Sequence, residues 1–152
     1  MEISLRQSAR KVQAAPDRVS TGLTCAWDLT VPDIAEARHA VTTLLDQVEP
    51  PPHHRAVEDA RLVASELVTN AVRHAPGPCV LTLHVDPQHR RLRITVQDTS
   101  AVLPRLPARD PARVGGHGLH LVHVLSLRFE ATPRATGKDV TAVLSLDRPD
   151  GR

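Results

Sequence analysis

The chain has 152 residues, which is long enough for one domain with its own apolar core. Aromatic residues make up only 1%, which argues against a binder of single-stranded nucleic acid, because such proteins stack bases on aromatic rings. The net charge is +2 and the basic residues are scattered among acids, so we expect no direct contact with nucleic acid. No apolar run approaches the roughly 18 residues that span a membrane, and no secretory signal is recognisable. We therefore expect a cytoplasmic protein.

The first part of the chain contains a predicted tail, strand and helix. Residues 1–21 are polar and without a clear period, and we expect a flexible tail there. Residues 22–30 alternate as a strand does. The predicted buried face of this strand carries Leu23, Cys25, Trp27 and Leu29. The sequence Thr30-Val-Pro-Asp33 resembles a capping box with proline in the first turn, and predicts a helix to about residue 48.

The middle of the chain predicts a long helix followed by a β-hairpin. Apolar periodicity indicates a helix over residues 53–74. Residues 79–86 and 91–98 alternate as strands do, and the four residues between them are a hairpin-length connection. The predicted apolar faces of these strands carry Leu81, Leu83, Val85, Leu92, Ile94 and Val96.

The last part of the chain predicts a long loop, a short helix and two strands. Residues 99–116 lack apolar periodicity, and loops of this length are usually functional or disordered. A helix is predicted over 117–127, and closing strands over 128–132 and 139–146. We expect one α+β domain over residues 22–146, in which a mixed, mostly antiparallel sheet has helices on one face, and a short tail after it.

Two polar residues stand out on the long predicted helix. Glu66 and Asn70 are four residues apart, so they stack on one face, beside the edge of the apolar stripe. A carboxylate and an amide so placed are able to hold a hard cation and to polarise a hydroxyl group. The same spacing is also typical of the polar flank of an amphipathic helix.

Two further features lie on either side of the long loop. Asp98 ends a predicted strand, where a carboxylate accepts a hydrogen bond from an exocyclic amine such as that of adenine, or simply forms a turn. Gly115-Gly-His-Gly-Leu119 opens the short helix, where backbone N–H groups and the helix N-terminus favour anions. A flexible entry to the helix is the alternative interpretation of these glycines.

In this order, the three features resemble the ATP-binding boxes of the histidine-kinase-like (GHKL) ATPase superfamily. The sequence Ser65-Glu-Leu-Val-Thr-Asn-Ala-Val-Arg-His-Ala75 is similar to the N box of the bacterial anti-sigma factor and serine-protein kinase branch. Asp98-Thr-Ser100 resembles its G1 box, and Gly115 to Val122 resembles its G2 box. The resemblance covers about residues 22–146 and implies the Bergerat ATP-binding fold with a mobile lid over residues 101–116.

The resemblance also implies roles for individual residues. Asn70 would bind Mg²⁺, Glu66 would act as general base, and Asp98 would read the adenine amino group. Gly116 and Gly118 would let the lid wrap the phosphates. Further nucleotide contacts are implied for Ser100, His117, Leu119 and Thr141.

The implied function is an ATP-dependent serine-protein kinase that also acts as an anti-sigma factor. Its partners would be a sigma factor and an anti-anti-sigma protein, and the branch also implies a homodimer. Ser100 and His117 replace a usual Gly and a frequent Arg or Lys, and Asp139 follows Gly137-Lys138 where Thr is frequent. These departures favour an alternative, a catalytically weak or inactive binding module that sequesters a regulatory partner. A detached histidine-kinase catalytic domain is a weaker third hypothesis.

The histidines invite a metal-site interpretation, which the sequence does not favour. His117, His120 and His123 recur at a spacing of three on the short predicted helix, opposite its apolar side. A zinc site would need further ligands from elsewhere to reach four. We interpret this set as a solvated helix face.

Overall fold

The computed structural model describes residues 23–29, 33–74, 77–100 and 117–147. Five strands and three helices follow one another as β1 (Leu23–Leu29), α1 (Ile34–Leu45), α2 (His54–His74), β2 (Cys79–Asp86), β3 (Arg91–Asp98), α3 (His117–Leu125), β4 (Arg128–Arg134) and β5 (Gly137–Ser145). The predicted tail over 1–21, the predicted lid over 101–116 and residues 148–152 of the predicted second tail lie outside the described residues.

The sheet has five strands in the order β1-β2-β3-β5-β4. Every pairing between these described strands is antiparallel, so the α+β class is confirmed, with no parallel pair among them. Helix α2 packs on β2, β3 and β5, while α1 and α3 flank it. Because β5 lies between β3 and β4, the closing hairpin brings the start of β5 beside the end of β3.

The core lies between the helices and one face of the sheet, here called the inner face. Alternating side chains of the three central strands point inward and are buried, as the period of two predicts. They include Leu81, Leu83, Val85, Leu92, Ile94, Val96, Val140, Ala142 and Leu144. The side chains predicted to form the buried face of β1 lie outside the described residues. The register of β1 with β2 places the Cα atom of Cys25 opposite that of Leu83.

Helix α1 is shorter at both ends than the sequence pattern predicts. Asp33 is its N-cap and accepts a hydrogen bond from the backbone N–H of Ala35 at 2.8 Å, so the helix begins at Ile34, whereas the predicted cap at Thr30 lies outside the described residues. At the other end, the backbone N–H of Gln47 bonds to the carbonyl of Leu44 and that of Val48 to Leu45. Each of these bonds joins residues three positions apart, which is tighter than the α-helical spacing of four. They end the helix at Leu45 rather than at residue 48.

The closing hairpin is longer than predicted. Strand β4 continues to Arg134 and β5 begins at Gly137, so Pro133 lies within a strand rather than in the turn. Strand β4 is at the edge of the sheet, where a residue without a backbone N–H is tolerated. Helix α3 ends at Leu125, two residues before the predicted end. Across the described ranges, no helix is both long and apolar enough to cross a membrane.

Candidate functional site

Asp98 and Lys138 form a buried ion pair at the end of the sheet. They are register partners on β3 and β5, and both side chains are 1% exposed. The Lys138 ammonium donates a hydrogen bond to Asp98 Oδ1 at 3.1 Å, and the backbone N–H of Ser100 donates to the same oxygen at 2.9 Å. Lys138 Nζ also lies 2.9 Å from Asp98 Oδ2, but without the direction of a hydrogen bond. Oδ2 is therefore a buried acceptor that no described group satisfies.

Cys79 completes a row across the sheet. The register between β2 and β3 places Cys79 next to Asp98, on the inner face. Burial, and secondarily the negative charge of Asp98, raises the pKa of the Cys79 thiol to about 11. The thiol is neutral at neutral pH, so the row holds one anion and one cation.

Gly137 permits the close approach of β5 to the end of β3. Its φ of +134° is one that other residues rarely adopt. A Cβ atom at this position would overlap the backbone carbonyl oxygen of Asp98 and would lie 2.9 Å from the Cα of Thr99. Glycine is thus required for Lys138 to reach Asp98 in this geometry.

Glu66 and Gly118 are also brought together. A Cβ atom on Gly118 would overlap Glu66 Oε2 and would lie 3.0 Å from Glu66 Cδ. The carboxyl group of Glu66 therefore lies against the first turn of α3. Oriented backbone N–H groups at a helix N-terminus favour a negative charge there, whether of a carboxylate or of a phosphate.

Asn70 lies one turn further along α2, half-buried like Glu66. Within the described ranges, neither residue has a side-chain hydrogen bond. Helix α2 ends at His74, and only residues 75–78 separate it from Cys79, the neighbour of Asp98. The last turns of α2 and the buried ion pair thus lie at the same end of the domain, as a pocket between α2, α3 and the sheet requires.

The structure separates Thr141 from this group. Residues alternate along β5, so Thr141 lies on the outer face of the sheet, opposite the helices, where its hydroxyl is 3.1 Å from that of Thr95. Asp139 lies on the same outer face and binds Arg134 at 3.1 Å. The Asp139 carboxylate therefore lies on the opposite face of the sheet from Asp98 and Lys138.

The remaining predicted contacts lie in or beside the loop. Ser100 is half-buried next to Asp98, and Leu119 is part of the core at 9% exposure, which leaves its backbone for a ligand. Gly116 and the His117 side chain lie outside the described part of the chain. His123 is exposed, and no group of three or more His, Cys, Asp or Glu among the described residues is arranged to hold a metal ion.

Lys138 is the site residue that the motif pattern did not predict. The signal is present in the sequence, because Lys138 is in phase with Val140, Ala142 and Leu144, the apolar face of β5. A lysine at such a position needs a buried counter-charge. Asp98 is the acidic residue at the end of the neighbouring strand.

Comparison with known proteins agrees with this architecture. The sequence model of a family described as the histidine kinase-like ATPase domain matches residues 28–144. The fold is similar to the crystal structure of the RsbU and RsbW domains of Rv1364c from Mycobacterium tuberculosis, with a TM-score of 0.60 and 20% identity. That match covers 84% of this chain and 33% of the other, so this chain spans about a third of its length. No curated protein sequence matches at a significant level. The family match extends from β1 to β5, and the chain belongs to the histidine kinase-like ATPase domain family.

Proposed function

We propose that the protein binds Mg-ATP at the end of the sheet and transfers the terminal phosphate to a serine of a regulatory protein. The observation that carries the nucleotide site is Asp98 Oδ2, a buried carboxylate oxygen that accepts no hydrogen bond from the described residues, although Lys138 Nζ lies 2.9 Å from it. Such an atom is costly unless a ligand or a water molecule satisfies it. The exocyclic amine of adenine is a donor of the required kind.

The residues of α2 fit the remainder of the ligand. The amide oxygen of Asn70 would contribute to a Mg²⁺ site, since Mg²⁺ prefers oxygen ligands and is usually held by few protein groups together with phosphates. Bound Mg²⁺ would neutralise charge on the transferred phosphoryl group. Backbone N–H groups at the start of α3, beside Gly118, would receive phosphate oxygens.

Glu66 is the candidate general base. Its carboxyl group lies at the first turn of α3 and has no hydrogen bond to any described side chain. It is thereby available to accept the proton of a serine hydroxyl as that oxygen attacks the phosphate. Phosphoryl transfer depends mainly on positioning and on electrostatic stabilisation, so a site with so few functional groups is sufficient.

The proposed partners follow from the resemblance of the N box and from the RsbW domain in the structural neighbour. They are a sigma factor, which the protein would sequester, and an anti-anti-sigma protein, which carries the acceptor serine. Phosphorylation would add negative charge to the anti-anti-sigma protein and weaken its binding to this protein.

The first test is calorimetric titration with Mg-ATP. We expect micromolar binding by the wild type and a dissociation constant at least about tenfold higher for Asn70→Ala, because a metal ligand is lost. Gln88→Ala changes an exposed residue of the β2–β3 turn and is the matched control, which should bind as the wild type does. Equal affinity of Asn70→Ala and the wild type would remove Asn70 from the site.

The second test measures phosphate transfer to a serine-bearing anti-anti-sigma protein. Glu66→Gln keeps the shape of the side chain but cannot accept the proton, so transfer should slow by about 10²-fold while Mg-ATP binding persists. An unchanged transfer rate would exclude Glu66 as the base.

A second candidate function is a binding module without catalysis. The observation in its favour is that Lys138 already neutralises Asp98, so the pair also serves as a purely structural element. In that case folded wild-type protein would bind no ATP even at millimolar concentration, and a partner protein alone would be its ligand.

A further inference from the structure

Gly118 lies in helix α3, where a glycine brings no conformational advantage. Among the described glycines only Gly77 and Gly137 have a positive φ, so the backbone of Gly118 has a conformation that any residue adopts. Alanine is preferred to glycine in helices, because glycine loses more conformational freedom on folding. The use of glycine at this position is therefore a matter of space rather than of backbone conformation.

The side chain of Glu66 fills the space beside Gly118. A Cβ atom on Gly118 would overlap Glu66 Oε2, and would lie 3.0 Å from Glu66 Cδ and 3.7 Å from Glu66 Cβ. The distance to Glu66 Cβ is an ordinary van der Waals contact, whereas the carboxyl group occupies the position that the new atom would take. A side chain at position 118 would thus compete with the carboxyl group of Glu66.

The two helices are held in place on either side of this contact. Leu119 and Val122 anchor α3 in the core, and Leu67 anchors α2. The carboxyl group of Glu66, by contrast, is the far end of a flexible, half-buried side chain to which no described group hydrogen-bonds. A Cβ atom at position 118 would therefore turn the Glu66 side chain away rather than separate the helices.

We propose that Gly118 is a positioning residue for Glu66, because the absence of a side chain at position 118 leaves room for the carboxyl group of the general base. The inference rests on the proposed function, in which Glu66 accepts the proton of the serine hydroxyl as its oxygen attacks the terminal phosphate and ADP leaves. It gives Gly118 a role distinct from the phosphate contact that the sequence resemblance implies. Position matters here, since a misplacement of about 1 Å in a catalytic group costs about 10²-fold in rate.

The experiment compares Gly118→Ala with the wild type in calorimetric titration with Mg-ATP and in phosphate transfer from Mg-ATP to the serine-bearing anti-anti-sigma protein. We expect kcat for transfer to fall by about 10- to 100-fold, while the dissociation constant of Mg-ATP changes by less than about threefold. Loss of a phosphate contact would instead raise that dissociation constant by about tenfold or more. His123→Ala, at an exposed position of the same helix, is the matched control and should leave both measurements unchanged.

A double variant tests whether Gly118 acts through Glu66. Glu66→Gln already removes the base, so the further change Gly118→Ala should slow transfer by less than about threefold more, because no base remains to be displaced. A residue that acts independently of Glu66 would instead multiply the two losses. Full multiplication of the two losses would overturn the proposal.

Thermal melting establishes which variants fold. Gly118→Ala should melt at the wild-type temperature or above it, because alanine favours the helix and only a side-chain end is displaced. If Gly118→Ala is unfolded, the variant that combines Glu66→Ala with Gly118→Ala removes the carboxyl group and should fold. If this double variant is also unfolded, a group other than the Glu66 carboxyl excludes the Cβ atom, and the proposal is overturned.

The kinetic results separate this proposal from the proposed function. A folded Gly118→Ala variant with the wild-type kcat would overturn the positioning role, and so would a tenfold loss of Mg-ATP affinity, while the nucleotide site would stand. A wild type that binds Mg-ATP but transfers no phosphate would overturn it together with the kinase activity. A wild type that binds no Mg-ATP would overturn the nucleotide site as well.

Discussion

The β4–β5 hairpin carries two ion pairs of similar length in opposite surroundings. On the inner face, Lys138 Nζ lies 2.9 Å from Asp98, and both side chains are 1% exposed. On the outer face, Arg134 lies 3.1 Å from Asp139, and the side chains are 44% and 30% exposed. Lys138 and Asp139 are adjacent in sequence, so strand alternation alone places one pair in the core and the other in water.

The two ion pairs differ in their exposure to solvent rather than in the distance between their charged atoms. Water and salt screen the outer pair, and the loss of either partner leaves the other well hydrated. The inner pair has no such compensation, and removal of one charge leaves the other buried. Substitutions at Lys138 and at Arg134 test whether burial accounts for the contrast.

The largest effect is expected for Lys138→Met. It leaves Asp98 buried without its counter-charge and should lower the free energy of unfolding by about 3–5 kcal/mol. Urea denaturation measures the change. The double variant Asp98→Asn with Lys138→Met removes both charges and should recover part of the loss. A loss below about 1 kcal/mol in the single variant would mean that the pair is solvated in solution.

Gly137→Ala should be the next most damaging change. The new Cβ would overlap the Asp98 carbonyl, and alanine disfavours a φ of +134°, so a loss of about 2–4 kcal/mol is expected. Gly77→Ala is the matched control, because Gly77 has a φ of +137° but nothing within 4 Å of a Cβ. Equal losses in urea denaturation for the two variants would show that backbone strain, rather than the approach of β5 to Asp98, accounts for the effect.

The sequence predicted the bounds of the elements well where local signals agree with one another. The bounds of β2 and β3 agree with the prediction because apolar alternation and the short turn both define them. The end of α1 was predicted too late because backbone bonds, which the sequence does not display, tighten its last turn. The hairpin strands were predicted too short because Pro133 and Gly137 are typical of turns, and their tolerance depends on the sheet edge and on the close approach to Asp98.

The site was predictable only in part for a similar reason. Glu66 and Asn70 share a helix face through local spacing, which the sequence displays. The contact of Lys138 with Asp98 depends on β5 pairing with β3 across an intervening helix and strand. The phase of Lys138 with the apolar face of β5 indicates that its side chain is buried, but not which carboxylate it meets, because such non-local pairing is decided by the whole sheet.

A small effect is expected for Arg134→Met on the outer face. An exposed ion pair contributes about 0.2–1 kcal/mol, so the free energy of unfolding should fall by no more than this. Added salt should reduce the difference between variant and wild type further, because it screens exposed charges. A salt-independent loss as large as that of Lys138→Met would contradict the explanation by burial.

The smallest effect concerns His84, also on the outer face, whose Nδ1 lies 2.6 Å from the Thr24 hydroxyl. Burial, followed by the positive charge of Arg93, lowers the pKa of His84 below 6.5, whereas Asp86 opposes the shift. The unfolded chain then binds more protons at this residue, so its contribution to stability is lost as the pH falls through 6.5 towards the folded pKa. His84→Gln should therefore lose less stability than the wild type between about pH 7.5 and about pH 5.5 in urea denaturation. His123→Gln, at an exposed position on α3, is the control. Identical pH profiles for the His84 variant and the wild type would show that burial and Arg93 do not lower the pKa of His84 in the folded protein.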